Sequence, residues 1–141
     1  MAILGDAIFA RLTAHAGTTA LVEKRVYPLR LPQGIGSESL PYPAIRYQVL
    51  ERPRTHLMGA DLNERHAEVQ VDCYGETYRS AHLVAAQVIS GLSRWEGTAG
   101  SVVVLHFFLD GALEIDEPTS KQEGDEGVYR VMLQFTAHWQ D

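Results

Sequence analysis

The stretch Tyr129-Arg130-Val131-Met132-Leu133-Gln134-Phe135-Thr136-Ala137-His138-Trp139 decides the architecture. Its odd positions are all apolar. Its even positions are polar except Met132. A period of two over eleven residues predicts a strand with one buried face and one wetter face. Two shorter runs repeat the pattern upstream. In Ala44 to Leu50, Ile45, Tyr47 and Val49 alternate with Arg46 and Gln48. In Arg65 to Tyr74, Ala67, Val69, Val71 and Cys73 alternate with Glu68, Gln70 and Asp72.

Between and before these strands the period changes. Leu4, Ala7, Ile8, Arg11 and Leu12 predict a helix over residues 3–15 with a narrow apolar stripe, and Gly17 stands where a left-handed C-terminal cap is expected. Thr18 to Val22 fits one further short turn. Val26 and Tyr27 begin an extended segment that Pro28 and Pro32 confine to an edge or a loop. Residues 31–43 carry three prolines and two glycines and read as a loop. Pro53 ends the following strand, and Arg54 to Asn63 reads as a long hairpin connection. Thr77 can cap a second main helix, which runs to about Trp95 on the stripe Ala81, Val84, Ala85, Val88, Leu92 and Trp95, with Gly97 as its stop.

Val102 to Leu109 is apolar on both faces, as in a strand covered on both sides. Asp110-Gly111 is a tight turn or a bulge. The alternation of Leu113 and Ile115 with Glu114 and Asp116 favours a bulge within one long strand. Glu117 to Gly127 then forms an acidic tip. The order α-β-β-β-α-β-β, with hairpin-length connections, predicts an α+β fold. It has an antiparallel sheet of about four to five strands and two main helices packed on one side. A length of 141 residues with no linker or repeat fits one domain over 1–141.

Composition narrows the function classes. The net charge is −6, and no basic patch or nucleic-acid motif is present, so sequence-specific nucleic-acid binding is not expected. One cysteine, Cys73, excludes an intrachain disulfide and fits assembly in a reducing cytoplasm. The N-terminus lacks the basic region of a secretory signal. The longest apolar run, interrupted by His106, is too short for a membrane-spanning helix.

Catalytic patterns are absent from the sequence. Gly34-Ile-Gly36 begins a dinucleotide fingerprint, but Ser39 stands where the third glycine belongs and no strand precedes it. No phosphate loop and no nucleophile elbow occur. Cys73 lies on the apolar face of its strand, with Asp72 on the other, and a buried strand thiol behaves as a small hydrophobe. His15, His56, His66, His82, His106 and His138 contain no helical i, i+4 pair. His56 and His66 are the pair that a hairpin would set opposite each other, and two histidines do not close a site. The acidic stretch does not match calcium-loop spacing. No catalytic residue, cofactor or metal ligand is therefore expected, and the chain reads as a non-enzyme.

The segments Val26-Tyr-Pro-Leu-Arg-Leu-Pro-Gln33, Leu40-Pro-Tyr-Pro-Ala-Ile-Arg-Tyr47, Ala67-Glu-Val-Gln-Val-Asp-Cys-Tyr74 and Thr77 to Leu92, taken with Tyr129 to Trp139, resemble the small tail completion proteins of long-tailed phages. These are also called tail terminators or tail-to-head joining proteins. The resemblance implies a structural protein that forms a ring, commonly a hexamer, at the head-proximal end of the tail tube. Such a ring ends tube polymerisation and joins tail to head. Subunits can be monomeric before they meet the tube. It implies as partners the tail tube protein, a head-completion or connector protein, and other copies of the chain, with DNA passing through the lumen without specific binding and no membrane. It implies assembly in the host cytoplasm and a final place in the virion neck.

Two segments are the candidate interface, with solvated mobile loops as the alternative reading of both. One is the connection around Arg52, Arg54, His56, Leu57, Met58 and Arg65, where Leu57 and Met58 are apolar among polar neighbours. The other is the acidic stretch with Glu114, Asp116, Glu117, Glu123, Asp125 and Glu126, for which the arginines are candidate partners across a subunit boundary. The competing readings are another neck or tail component, such as a head-completion or tube protein, and, far behind, a small enzyme built around Cys73.

Overall fold

The computed structural model describes residues 3–31, 42–52, 56–57, 60–61, 64–117 and 128–140. Three helices and eight strands follow in chain order. They are α1 (Leu4–Ala14), α2 (Ala16–Val22), β1 (Val26–Pro28), β2 (Ala44–Glu51), β3 (His56–Leu57), β4 (Ala60–Asp61), β5 (Arg65–Gly75), α3 (Tyr78–Leu92), β6 (Gly97–Ala99), β7 (Val102–Glu117) and β8 (Val128–Gln140). Six strands form one curled sheet in the order β1-β2-β5-β8-β7-β6, and β3 pairs with β4 in a separate ribbon. The α+β class holds, with one more strand in the main sheet than the upper end of the expectation.

The sheet is also mixed, not purely antiparallel. β1 runs parallel to β2. The remaining pairs are antiparallel. β6 is the strand that periodicity missed, since three residues show no period. Ala99 pairs with Val102 across the two-residue connection Gly100-Ser101. Gly100 sits at φ 62, where a Cβ would be disfavoured. Gly97 is therefore the first residue of β6 and not a helix stop. The helix stops at Ser93, and Arg94, at φ 61, donates its amide to Phe107 O at 2.7 Å, which ties the helix exit to β7.

The core lies between the helices and one face of the sheet. In β8, Val131, Leu133, Phe135, Ala137 and Trp139 are buried, as the alternation requires, while Tyr129 remains exposed at the strand's start. Leu4, Ala7, Ile8 and Leu12 of α1 and Ala81, Val84, Ala85, Val88 and Leu92 of α3 cover this face. The Thr77 hydroxyl accepts from the Ser80 amide at 3.0 Å, the expected cap. Gly17 is not a cap. It lies inside α2, where an added Cβ would fall 2.0 Å from Gln87 Oε1 of α3. Gly91 of α3 has the same cause, with His15 Cγ 3.1 Å from the position of a Cβ. Both glycines let the α1–α2 corner approach α3.

β7 departs from the expectation of cover on both faces. Val102, Val104 and Phe107 are buried, whereas Phe108 is 45% exposed. The apolar run is continuous because the buried face changes parity. Val104 pairs with Trp139 and His106 with His138, so Leu105 is an extra residue. A second shift leaves Asp110 extra between Leu109 and Gly111, which is the bulge expected at Asp110-Gly111 within one long strand.

Candidate assembly surface

The helix-free face of the sheet collects the polar residues of β2, β5, β8 and β7 into cross-strand rows. The register sets His66, His138 and His106 in one row. Leu50, Glu68, Thr136 and Phe108 form the next, and Gln48, Gln70 and Gln134 the third. Arg46, Asp72, Met132 and Leu113 make the fourth.

The fourth row holds the face's one deeply buried charge among the described residues. Asp72 is fully buried although it points away from the core. It accepts from Arg46 Nε at 2.9 Å and from Arg46 Nη2, from Arg130 Nε at 3.0 Å, and from Gln70 Nε2 at 3.1 Å. A carboxylate only accepts, and here its sites are met by two guanidinium groups and an amide. The triad thus staples β2, β5 and β8 from the polar side.

On the opposite side of β5, burial together with the nearby Asp72 charge pushes the Cys73 thiol far above the usual cysteine range. Fully buried there, the Cys73 side chain packs as a small hydrophobe of the core.

Arg65 and Asp116, one from each interface segment expected from sequence, lie at opposite ends of this sheet. Arg65 pairs with Trp139 at one end of β8, and Asp116 pairs with Tyr129 at the other. Ten residues of strand separate them, about 34 Å at 3.4 Å per residue. Arg52 and Arg65 therefore cannot meet Asp116 or Glu117 within one subunit. Each has a local partner. Arg52 Nη2 lies 2.5 Å from Glu68 Oε1, and the Arg65 guanidinium stacks 4.8 Å from the Trp139 ring centroid. Glu114 accepts from the Tyr78 hydroxyl at 2.6 Å, a bond that raises the Tyr78 pKa. His82 Nε2 is 2.9 Å from the same carboxylate, though not along a hydrogen-bonding direction.

His56 and Leu57 lie in the β3–β4 ribbon, where His56 pairs with Asp61 and Leu57 with Ala60. His56 is consequently not opposite His66, whose cross-strand neighbour is His138. Asp116 and Glu117 are the last residues of β7, so the acidic stretch begins as strand. Arg54, Met58, Glu123, Asp125 and Glu126 lie outside the described residues.

The sequence reading missed the histidine row altogether. His138 Nδ1 donates to Glu64 Oε1 at 2.9 Å, and this bond leads the causes that hold the Glu64 carboxyl below its usual range. Only the β5–β8–β7 register, reset by the bulge at Leu105, brings residues 66, 106 and 138 together. No spacing in the sequence signals it.

None of the described helices is long and apolar enough to cross a membrane. Among solved structures, a chain of the virion of a native gene transfer agent particle is similar over 95% of this chain and 92% of its own, with a TM-score of 0.65 and 17% identity. A second solved chain matches over 94% of each, with a TM-score of 0.52 and 16% identity. At such identities the likeness concerns the fold. No curated protein matches. Residues 6–140 match the family described as tail completion protein gp17, nearly the whole length of the chain. The chain belongs to this family of phage tail completion proteins, structural components of the virion tail and not enzymes.

Proposed function

We propose that the protein closes into a ring, a hexamer by resemblance to its family, on the head-proximal end of the tail tube. There it ends polymerisation and presents its other side to the head connector. The observation that carries this reading is the β3–β4 ribbon. Among the described residues it pairs with itself and not with the six-stranded sheet. A lone two-stranded ribbon is marginally stable in water, so it gains from a surface to pack on, and Leu57 is an apolar residue placed in it.

β1 and β6 are three residues each, and β6 pairs only with Val102–Val104, so β7 beyond residue 104 is an open edge that a neighbouring subunit can meet. Contacts between unlike patches, ribbon on one subunit and β7–β8 arm on the next, are the kind that a rotation closes into a ring. Arg65 and Asp116 lie about 34 Å apart along the sheet, about ten strand residues, which keeps the arginines beside β5 from meeting the acidic end of β7 inside one subunit. A net charge of −6 suits a lumen through which DNA passes without being gripped.

Mixing the purified chain with polymerising tube subunits tests the reading. The wild-type chain is expected to shorten tubes and to appear as a single ring on one tube end. Leu57→Glu is expected to lower capping affinity by about 2 kcal/mol or more, the loss typical of a central apolar contact, while the free subunit stays folded. Filaments formed by the chain alone would instead make it a tube subunit. Undiminished capping by Leu57→Glu would remove the ribbon from the interface.

A further inference from the structure

We propose that Glu64, His66 and His138 form a binding site for one divalent transition-metal ion of the zinc class, set at the start of β5. Glu64 is the residue immediately before β5, His66 is the second residue of β5, and His138 stands opposite His66 on β8. One ligand atom from each lies within 4.8 Å of the other two. Glu64 Oε1 is 2.9 Å from His138 Nδ1 and 3.6 Å from His66 Nε2. Zinc bonds of about 2.0–2.2 Å give a tetrahedral edge of roughly 3.3 Å, so these separations already bracket what a bound ion requires.

The donor set argues for the ion's class. Two imidazole nitrogens and one carboxylate oxygen suit zinc and its neighbours. Magnesium and calcium prefer an all-oxygen shell. The imidazole rings are packed 4.2 Å apart between centroids, so the strand register has already placed both donors. The three side chains are partly exposed, which leaves a path for entry and room for water at a fourth position. His106 shares the row but stays outside the group. Its ring centroid is 6.1 Å from that of His138, and its Nδ1 faces Glu96 at 3.6 Å. Among the described residues this is the one cluster of three such ligands.

An ion here would replace the proton that His138 Nδ1 now shares with Glu64 and would tie the residue that precedes β5 to β8. The site belongs to the single subunit, so it stands or falls independently of the ring.

Titration calorimetry of the untagged full-length chain with Zn²⁺, paired with Co²⁺ absorption, tests it. One ion per chain is expected, with a tetrahedral Co²⁺ spectrum and no competition from Mg²⁺ or Ca²⁺. His66→Gln and His138→Gln are each expected to weaken Zn²⁺ binding at least about ten-fold, and His106→Gln to leave it unchanged. If either histidine variant fails to fold by circular dichroism, Glu64→Gln, which lies outside the strand ladder, supplies the same comparison. Absence of saturable Zn²⁺ uptake by the wild-type chain would overturn the site. So would uptake that the folded ligand variants retain in full.

Discussion

Asp72→Ala is expected to destabilise the fold by about 3–5 kcal/mol, the usual cost of removing one partner from a buried ion pair. For a chain of this size that is a fall in Tm of roughly 10 °C or more. The reason is the pair of guanidinium groups left behind. Arg46 and Arg130 are 22% and 17% exposed, so neither can be rehydrated without moving. Their anchoring carboxylate is fully buried. The loss should not track the charge alone. Replacing all three together, with Asp72→Leu, Arg46→Met and Arg130→Met, is expected to recover most of the stability, because apolar replacement of a buried charge cluster is often neutral or better. Thermal and urea unfolding of the single and triple variants checks both statements. A single variant within about 0.5 kcal/mol of wild type, the range of ordinary surface changes, would mean that the triad does not staple the three strands.

Phe107→Ala is expected to cost about 3–5 kcal/mol, whereas Phe108→Ala, one residue on, is expected to cost under about 1 kcal/mol. Phe107 is fully buried and packs at 5.1 Å from Phe135 and 5.7 Å from Trp95 between ring centroids. Phe108 lies on the helix-free face against His106. The contrast depends on the extra residue at Leu105, because without that bulge Val102 and Val104 would share their face with His106 and Phe108. Denaturant unfolding of the two variants measures it directly. Equal losses would mean that β7 is covered on both faces after all, and a reversed order would place the bulge elsewhere.

Much of this fold is written in local periodicity. β5 and β8 bury one face over long runs, so their alternation survives in the sequence, as does the stripe of α3 with its Thr77 cap. What was not legible has specific causes. β6 is too short to show a period, and β1 carries no sign that its partner is parallel. Gly17 and Gly97 read as helix stops because glycine often is one. At Gly17 the actual reason is a neighbouring helix, which no local pattern encodes. The buried Asp72 looked like an ordinary member of a polar face, since its burial comes from arginines on two other strands.

The candidate surfaces divide in the same way. Arg65 and Asp116 could be named from charge, and the register then placed them at opposite ends of the sheet. The histidine row could not be named, because residues 66, 106 and 138 meet only through that register.

Membership of the tail completion family bounds the role to the structure of the virion tail. The finer claim, a ring that stops the tube and joins it to the head, is tested most directly by electron microscopy of lysates in which this gene is deleted from its phage or prophage. Filled heads beside unattached tails, with tails of abnormal length, are expected. Intact virions carrying attached tails of normal length would contradict it.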